Sequence, residues 1–294
     1  MKNGKRFLLA VLLGMLVGAE ASALAVYGVT TMNSLVRFDS ATPGTINSTV
    51  TVTGLNAGAT LRGIDFRPVD GLLYGVSSDS RLYTINLSSG AASVIGPALA
   101  FTLNGSSFGF DFNPTVDRIR VTSDADQNLR LNPITGALAA TDTNLAYAGT
   151  DVNAGQNPNI VGSAYTNSFN GATTTTLFGI DSALDILVTQ APPNNGTLNT
   201  VGSLGFNTSD QVGFDIFFFG NQAFASLTGA AAGSISSLFS INLATGAATS
   251  IGAIGSGLQI ADIAIQQVPE PGTITLLAAA LLGSLAVRAR SRLK

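Results

Sequence analysis

A stretch of about one-ninth of this chain is repeated along it, and that repeat constrains the fold more than any other feature. Residues 63–96 read GIDFRPVDGLLYGVSSDSRLYTINLSSGAASVIG. Short runs of alternating apolar residues are bounded by Gly, Pro, Asp and Ser, which predicts four strands joined by tight turns. A single four-stranded meander cannot cover both of its faces. It needs copies of itself to pack against.

The copies follow at a regular spacing. Gly109–Pro114 (GFDFNP) repeats Gly63–Pro68 (GIDFRP) 46 residues on, and Gly213–Ile216 and Ala261–Ile265 are weaker versions. Turn glycines recur at Gly44, Gly90, Gly136, Gly196 and Gly246, at intervals of 46, 46, 60 and 50 residues. A period near 45 with four strands per unit predicts an all-β chain folded as a β-propeller, and five turn glycines predict five four-stranded blades. The first unit begins at Ala25-Val26-Tyr27-Gly28-Val29, which matches Leu73-Tyr74-Gly75-Val76, so it lacks a Gly-x-Asp-Phe strand of its own. The last unit ends on such a strand, Ile260–Ile265. That strand is expected to complete the first blade and close the ring, leaving no inner edge unpaired.

The blades are expected at 25–53, 63–96, from 109 to about 140, 162–202 and 213–252. Residues 141–158, rich in Asn, Gly and Asp, account for most of the long interval. A loop of that length reads as functional or mobile.

Composition removes several kinds of chemistry. The sequence has no Cys, no His and no Trp. Disulfides, thiolate catalysis, a Ser-His-Asp triad and the usual zinc or copper ligands are therefore excluded. Residues 24–268 hold seven Arg and fifteen Asp with neither Lys nor Glu, which leaves the body eight charges negative. An acidic body argues against nucleic acid and anionic membrane surfaces as partners. All seven Arg lie between Arg37 and Arg130.

The two ends read as addresses outside the fold. Lys2, Lys5 and Arg6 precede the apolar run 7–17, and small residues follow at Ala19-Glu20-Ala21-Ser22-Ala23. This is the pattern of a secretory signal peptide over 1–23, engaging the export machinery and signal peptidase, with a cut before Leu24 or, alternatively, before Val26. At the other end, Pro269-Glu270-Pro271 leads into the uncharged stretch 273–287 and then Arg288, Arg290, Arg292 and Lys294. As a helix that stretch would rise roughly 22 Å, short of the roughly 30 Å hydrocarbon core, so it would span only with thinning or snorkelling. Pro-Glu-Pro, apolar stretch and Arg cluster in this order resemble the PEP-CTERM sorting signal of Gram-negative bacteria over 268–294. The resemblance implies transient anchoring in the inner membrane and removal of the apolar segment by exosortase, a membrane-embedded cysteine protease. Delivery to the cell surface or an exopolysaccharide matrix would follow. A permanent single-span anchor is the other reading.

The run 109–133 (GFDFNPTVDRIRVTSDADQNLRLNP), with Asn153-Ala154-Gly155, Ala164-Tyr165-Thr166 and 174–181 (TTTLFGID), is similar to a family of bacterial secreted proteins. That family is known only as a domain of unknown function with propeller-like repeats. The resemblance implies the fold and carries over no catalytic residue. The turns also resemble those of NHL and YVTN-type propellers.

Four groups of residues are candidates for a site. Asp65, Asp111, Asp215 and Asp262 share one place in the repeat and, if their strand is innermost, face the channel. There they would form a cation site or an acid/base pair, or else accept N–H bonds from their own turns. Asp124, Asp126 and Asn128 have the D-x-D-x-N start of a calcium loop, but Leu129 and Thr135 break the EF-hand pattern, so an Asx-rich turn competes with a Ca²⁺ site. Arg118, Arg120 and Arg130 lie on adjacent strands, with Arg118 and Arg120 on one face. They would grip a carboxylate or sulfate of an acidic glycan, or pair with Asp117, Asp124 or Asp126. The run 214–219 (FDIFFF) reads as a strand buried between blades.

The expected role is non-enzymatic: an exported propeller that binds exopolysaccharide or another envelope component, with no cofactor unless Ca²⁺ is bound. An Asp-based glycan hydrolase or lyase in the channel and a purely structural matrix protein are the alternatives.

Overall fold

The computed structural model describes residues 23–97 and 100–267. The signal-peptide segment before residue 23 and the sorting residues Pro269, Glu270, Pro271, Arg288, Arg290 and Arg292 lie outside the described residues. Five sheets form five blades, antiparallel except for one edge strand in the fourth. Blade one holds β1 (Ala25–Thr30), β2 (Ser34–Asp39) and β3 (Thr42–Thr51). Blade two holds β4 (Leu61–Phe66), β5 (Leu73–Ser77), β6 (Arg81–Ile85) and β7 (Ala92–Ile95). Blade three holds β8 (Phe108–Asn113), β9 (Arg118–Ser123), β10 (Asn128–Leu131) and β11 (Leu138–Thr141). After β12 (Ala146–Tyr147), blade four holds β13 (Ile160–Tyr165), β14 (Leu177–Asp181), β15 (Ile186–Gln190) and β16 (Thr197–Ser203). Blade five holds β17 (Thr208–Phe217), β18 (Gln222–Gly229), β19 (Ser236–Ile241) and β20 (Ala248–Ala253), and the final strand is β21 (Ile260–Ile265). Among the described residues no helix is long and apolar enough to cross a membrane.

The ring closes as its repeats require. β21 pairs antiparallel with β1, Val26 opposite Ile265 and Gly28 opposite Ile263, so the first blade runs β21-β1-β2-β3. The innermost strands β4, β8, β13, β17 and β21 line the axis, each beside the next.

The core lies between the blades. Leu35 and Tyr27 of blade one pack with Ile64, Phe66 and Leu73 of blade two. Tyr74 and Leu82 pack with Phe110, Phe112 and Val121 of blade three. The same holds between blades four and five, and between five and one. Each strand is apolar toward both neighbouring blades, which explains why the inner strands are buried along nearly their whole length and why no blade can fold alone.

Two parts differ from expectation. The stretch 141–158 contributes β12, a fifth strand on the outer edge of blade four, paired parallel with β16 at Ala146–Thr197 and Tyr147–Leu198. Asp151 fastens it further by accepting the Thr200 amide at 2.6 Å. In the Phe-rich run, Phe214, Ile216 and Phe217 are buried, but the strand ends there. Phe219 sits in the following turn and is 66% exposed.

Candidate functional site

The carboxylates on the axis stitch the inner strands together. Asp65 accepts the Phe66 amide at 2.6 Å and, across the gap to blade three, the Phe112 amide at 2.8 Å. Asp111 accepts the Tyr165 amide of blade four at 3.2 Å. Asp215 accepts its own Ile216 amide and the Ile265 amide of blade one, both at 2.5 Å. Neighbouring inner strands share no backbone ladder, so these carboxylates satisfy N–H groups that would otherwise be buried without partners. Only part of this is local bonding within a turn; the rest is contact between blades.

Asp262 does not share their place, contrary to the reading from the repeat. Asp65 stands opposite Tyr74, and Tyr27, the counterpart of Tyr74, stands opposite Ala264. Asp262 is opposite Val29 and therefore occupies the place of Gly63, two residues earlier. The sequence match was misleading because Ala-Asp-Ile mimics Gly-x-Asp-Phe with a shift of two. One layer of the channel thus holds Asp65, Asp111 and Asp215 with Ala164 and Ala264. The layer before it holds Asp262 among Gly63, Gly109, Gly162 and Gly213. At Gly63 the missing side chain leaves room for the Asp262 carboxylate, and a Cβ there would collide with Phe110 of the next blade. Asp262 in turn accepts the Ile64 amide at 2.8 Å.

The three carboxylates of the first layer bring one oxygen each within 4.8 Å of one another, all buried. Burial pushes Asp65 well above the usual carboxylate range, and the charge of Asp215 adds to it. Burial, then the charges of Asp65 and Asp215, does the same to Asp111. Burial raises Asp215 to about 6 and raises Asp262 as well. Three hard oxygen donors facing one another are also the residues that could hold a divalent cation. The channel opens beyond them into a pocket of about 380 Å³, lined from all five blades by residues including Arg62, Phe108, Val161, Val212 and Ala261.

The calcium-like run is not brought together around a common point. Asp124 accepts the Ser106 amide at 2.9 Å and holds the preceding loop. Asn128 turns inward and donates to the carbonyls of Thr143 and Pro193, both at 3.0 Å. Asp126 has a positive φ of 60° and one carboxylate oxygen buried without a hydrogen-bond partner.

The three arginines do converge. Arg118, Arg120 and Arg130 line one pocket of about 340 Å³ between blades three and four, with Asn113, Tyr165 and Asn194. Arg120 is 2% exposed and donates to Asp142 and Asn128, both at 2.6 Å, and to Asn194 at 2.8 Å. Arg130 reaches the same Asp142 at 2.8 and 2.9 Å. Arg118 donates only to backbone carbonyls, of Asp117 at 2.8 Å and Val116 at 3.5 Å. The pairing is therefore with Asp142 and not with Asp117, Asp124 or Asp126; Asp117 is held by Arg67. Burial by itself would raise Asp142, but hydrogen bonds from Arg130 and Arg120 hold it below the ordinary range. Three guanidinium groups line this pocket against one carboxylate, which Arg120 and Arg130 share, so the pocket is net cationic on an acidic protein. No local motif marks Asp142, Tyr165 or Asn194 as partners of these arginines, because they come from the end of β11, from β13 and from the β15–β16 turn.

A family described as "Domain of unknown function (DUF4394)" matches residues 34–264. The chain belongs to this family. A PEP-CTERM protein-sorting motif matches residues 267–291. That motif marks an exported protein sorted to the cell surface through exosortase. No curated protein matches the chain. Among solved structures, the chain is similar to dihydro-heme d1 dehydrogenase NirN in complex with DHE at 13% identity and a TM-score of 0.39, covering 78% of this chain and 43% of that one. It is also similar to a nidogen/laminin complex at 13% identity and a TM-score of 0.43, covering 83% of this chain and 84% of that one. The chain thus spans less than half the length of the first of these.

Proposed function

We propose that this DUF4394 propeller is a non-enzymatic binding protein for acidic exopolysaccharide, and that the Arg118–Arg120–Arg130 pocket holds the anionic group of the sugar. One observation carries this reading: Arg118 faces the pocket with its guanidinium bonded only to backbone carbonyls, beside two more arginines that share Asp142. A planar guanidinium suits a carboxylate or sulfate, and Arg120 and Arg130 are already oriented by their partners. Export by the sorting route would bring the pocket to where such polymers are. The axial carboxylates support a non-enzymatic role, since both oxygens of Asp65 and of Asp215 already serve backbone N–H groups.

Affinity electrophoresis of the full chain through gels containing alginate, a sulfated glycan or neutral dextran tests this, with chain length of the polymer followed in parallel. Retardation by the acidic polymers, weakened by salt and by Arg118→Ser, is the expected result. Equal retardation by dextran, or no response to Arg118→Ser, overturns the pocket. Shortening of the polymer overturns the non-enzymatic reading.

A further inference from the structure

Both ends of the described chain leave the propeller on one face. β1 runs antiparallel to β21, and the Gln266 amide donates to the Ala25 carbonyl at 3.0 Å. Each inner-strand carboxylate reaches the next blade at a constant offset, so all five inner strands point toward that face. The four hairpins that follow β4, β8, β13 and β17 therefore lie on it too.

Each of these hairpins carries an exposed apolar side chain. These are Val69 and Leu72 after β4, Val116 after β8, Phe169 after β13 and Phe219 after β17, at 43–66% exposure. The fifth position in the ring has no hairpin, because the chain ends replace it. There Gln267 accepts the Phe218 amide at 3.0 Å, which ties the outgoing chain to the aromatic turn. Phe218 also packs edge-on against Phe169 of the neighbouring blade at 6.1 Å. Among the described residues the opposite face has exposed Met32, Val152 and Ile235 in its turns and outer loop, but no such set at its inner rim.

The tail limits what this face can meet. Five residues, 268–272, separate Gln267 from the apolar stretch that begins at 273. Fully extended they reach about 17 Å. With 273–287 in a bilayer, the propeller cannot turn its other face to the membrane without rolling over its own exit point.

We infer that the hairpin face docks on the outer leaflet of the membrane while the tail is attached, with Val69, Leu72, Val116, Phe169 and Phe219 entering the interfacial layer. The ring of apolar tips is then a membrane contact that removal of the tail releases. Apolar and aromatic side chains at a common height suit the headgroup boundary, and the short tether raises their local concentration there. This rests on the tail entering the bilayer.

The chain has no cysteine, so single-cysteine variants report unambiguously. Val116→Cys, Phe219→Cys, Met32→Cys and, in the tail, Ala279→Cys are each made in the full chain, labelled with an environment-sensitive dye and reconstituted into zwitterionic phosphatidylcholine vesicles carrying nitroxide lipids, since an acidic body is repelled by an anionic surface. Quenching at Val116 and Phe219 several-fold above that at Met32 is expected. Quenching at Ala279 alone overturns the docking and leaves the tether standing. Quenching at neither overturns both. Quenching on the hairpin face without the tail keeps the docking and removes only the tether. Equal quenching at Met32 and Val116 shows no preferred face and overturns the inference.

Discussion

The Asp65 carboxylate accepts the amide hydrogen of Phe112 across the gap between blades two and three, at 2.8 Å. Two inner strands that share no ladder are joined there by one side chain. Asp65→Ala leaves the Phe66 and Phe112 amides buried without acceptors and is expected to destabilise the fold by about 3 kcal/mol. Asp65→Asn keeps one of the two acceptors but turns its NH2 toward the other amide, and costs roughly 1–2 kcal/mol. Urea unfolding of the two variants measures this; equal midpoints would show that the carboxylate does not bridge the blades.

The same carboxylates set a pH dependence. A carboxyl whose folded-state pKa lies above its unfolded value stabilises the fold fully below the unfolded pKa. That contribution is lost as pH rises through the folded one. For Asp215, raised to about 6 mainly by burial, the window runs from roughly pH 4 to pH 6. Asp65 and Asp111 act in the same direction. Tm is therefore expected to increase as pH falls from neutral toward about 5. Asp111→Asn, which removes one charge and keeps the acceptor for Tyr165, should raise Tm at neutral pH and flatten the profile. A Tm that declines on mild acidification contradicts this.

A divalent cation on the axis would reverse that last result. If Asp65, Asp111 and Asp215 hold Ca²⁺, Asp111→Asn lowers Tm and the ion raises it only in the parent chain. With the three carboxyls serving as blade bridges, Ca²⁺ is expected to leave Tm unchanged in both. Thermal unfolding with chelator and with millimolar Ca²⁺ separates the cases.

Asp142 compensates a guanidinium that is 2% exposed. Asp142→Asn leaves Arg120 buried without its countercharge and is expected to cost about 3–5 kcal/mol. Arg120→Lys does not restore the loss, since an ammonium cannot reach Asp142, Asn128 and Asn194 together. Chemical denaturation of the two variants provides the check, and a change under about 1 kcal/mol for Asp142→Asn would refute the role.

Leu24 is buried, donates its amide to Ser40 Oγ at 3.0 Å and accepts the Ser40 amide at 2.9 Å. Ala25 is already in register with Asp39. A cut before Val26 would strip the first blade of both. N-terminal sequencing of the exported protein should therefore begin at Leu24.

Periodicity determined much of this protein without any coordinates. Turn glycines spaced by one blade length, and an inner strand missing at one end and spare at the other, are local signals that specify five blades and a closure by β21. The C-terminal sorting signal is equally local, since it is read from motif, hydropathy and charge along the chain. The tertiary structure decided where the repeated carboxylates point and which of them meet. The shift of Asp262 by two residues is invisible in sequence, because both registers put it on the channel side and only pairing with Val29 tells them apart. Arg118, Arg120 and Arg130 show the other limit. Strand alternation puts two of them on one face, but Asp142, Tyr165 and Asn194 arrive from distant segments. Electrostatic partnership depends on distances of a few ångströms, and those exist only once the blades have packed.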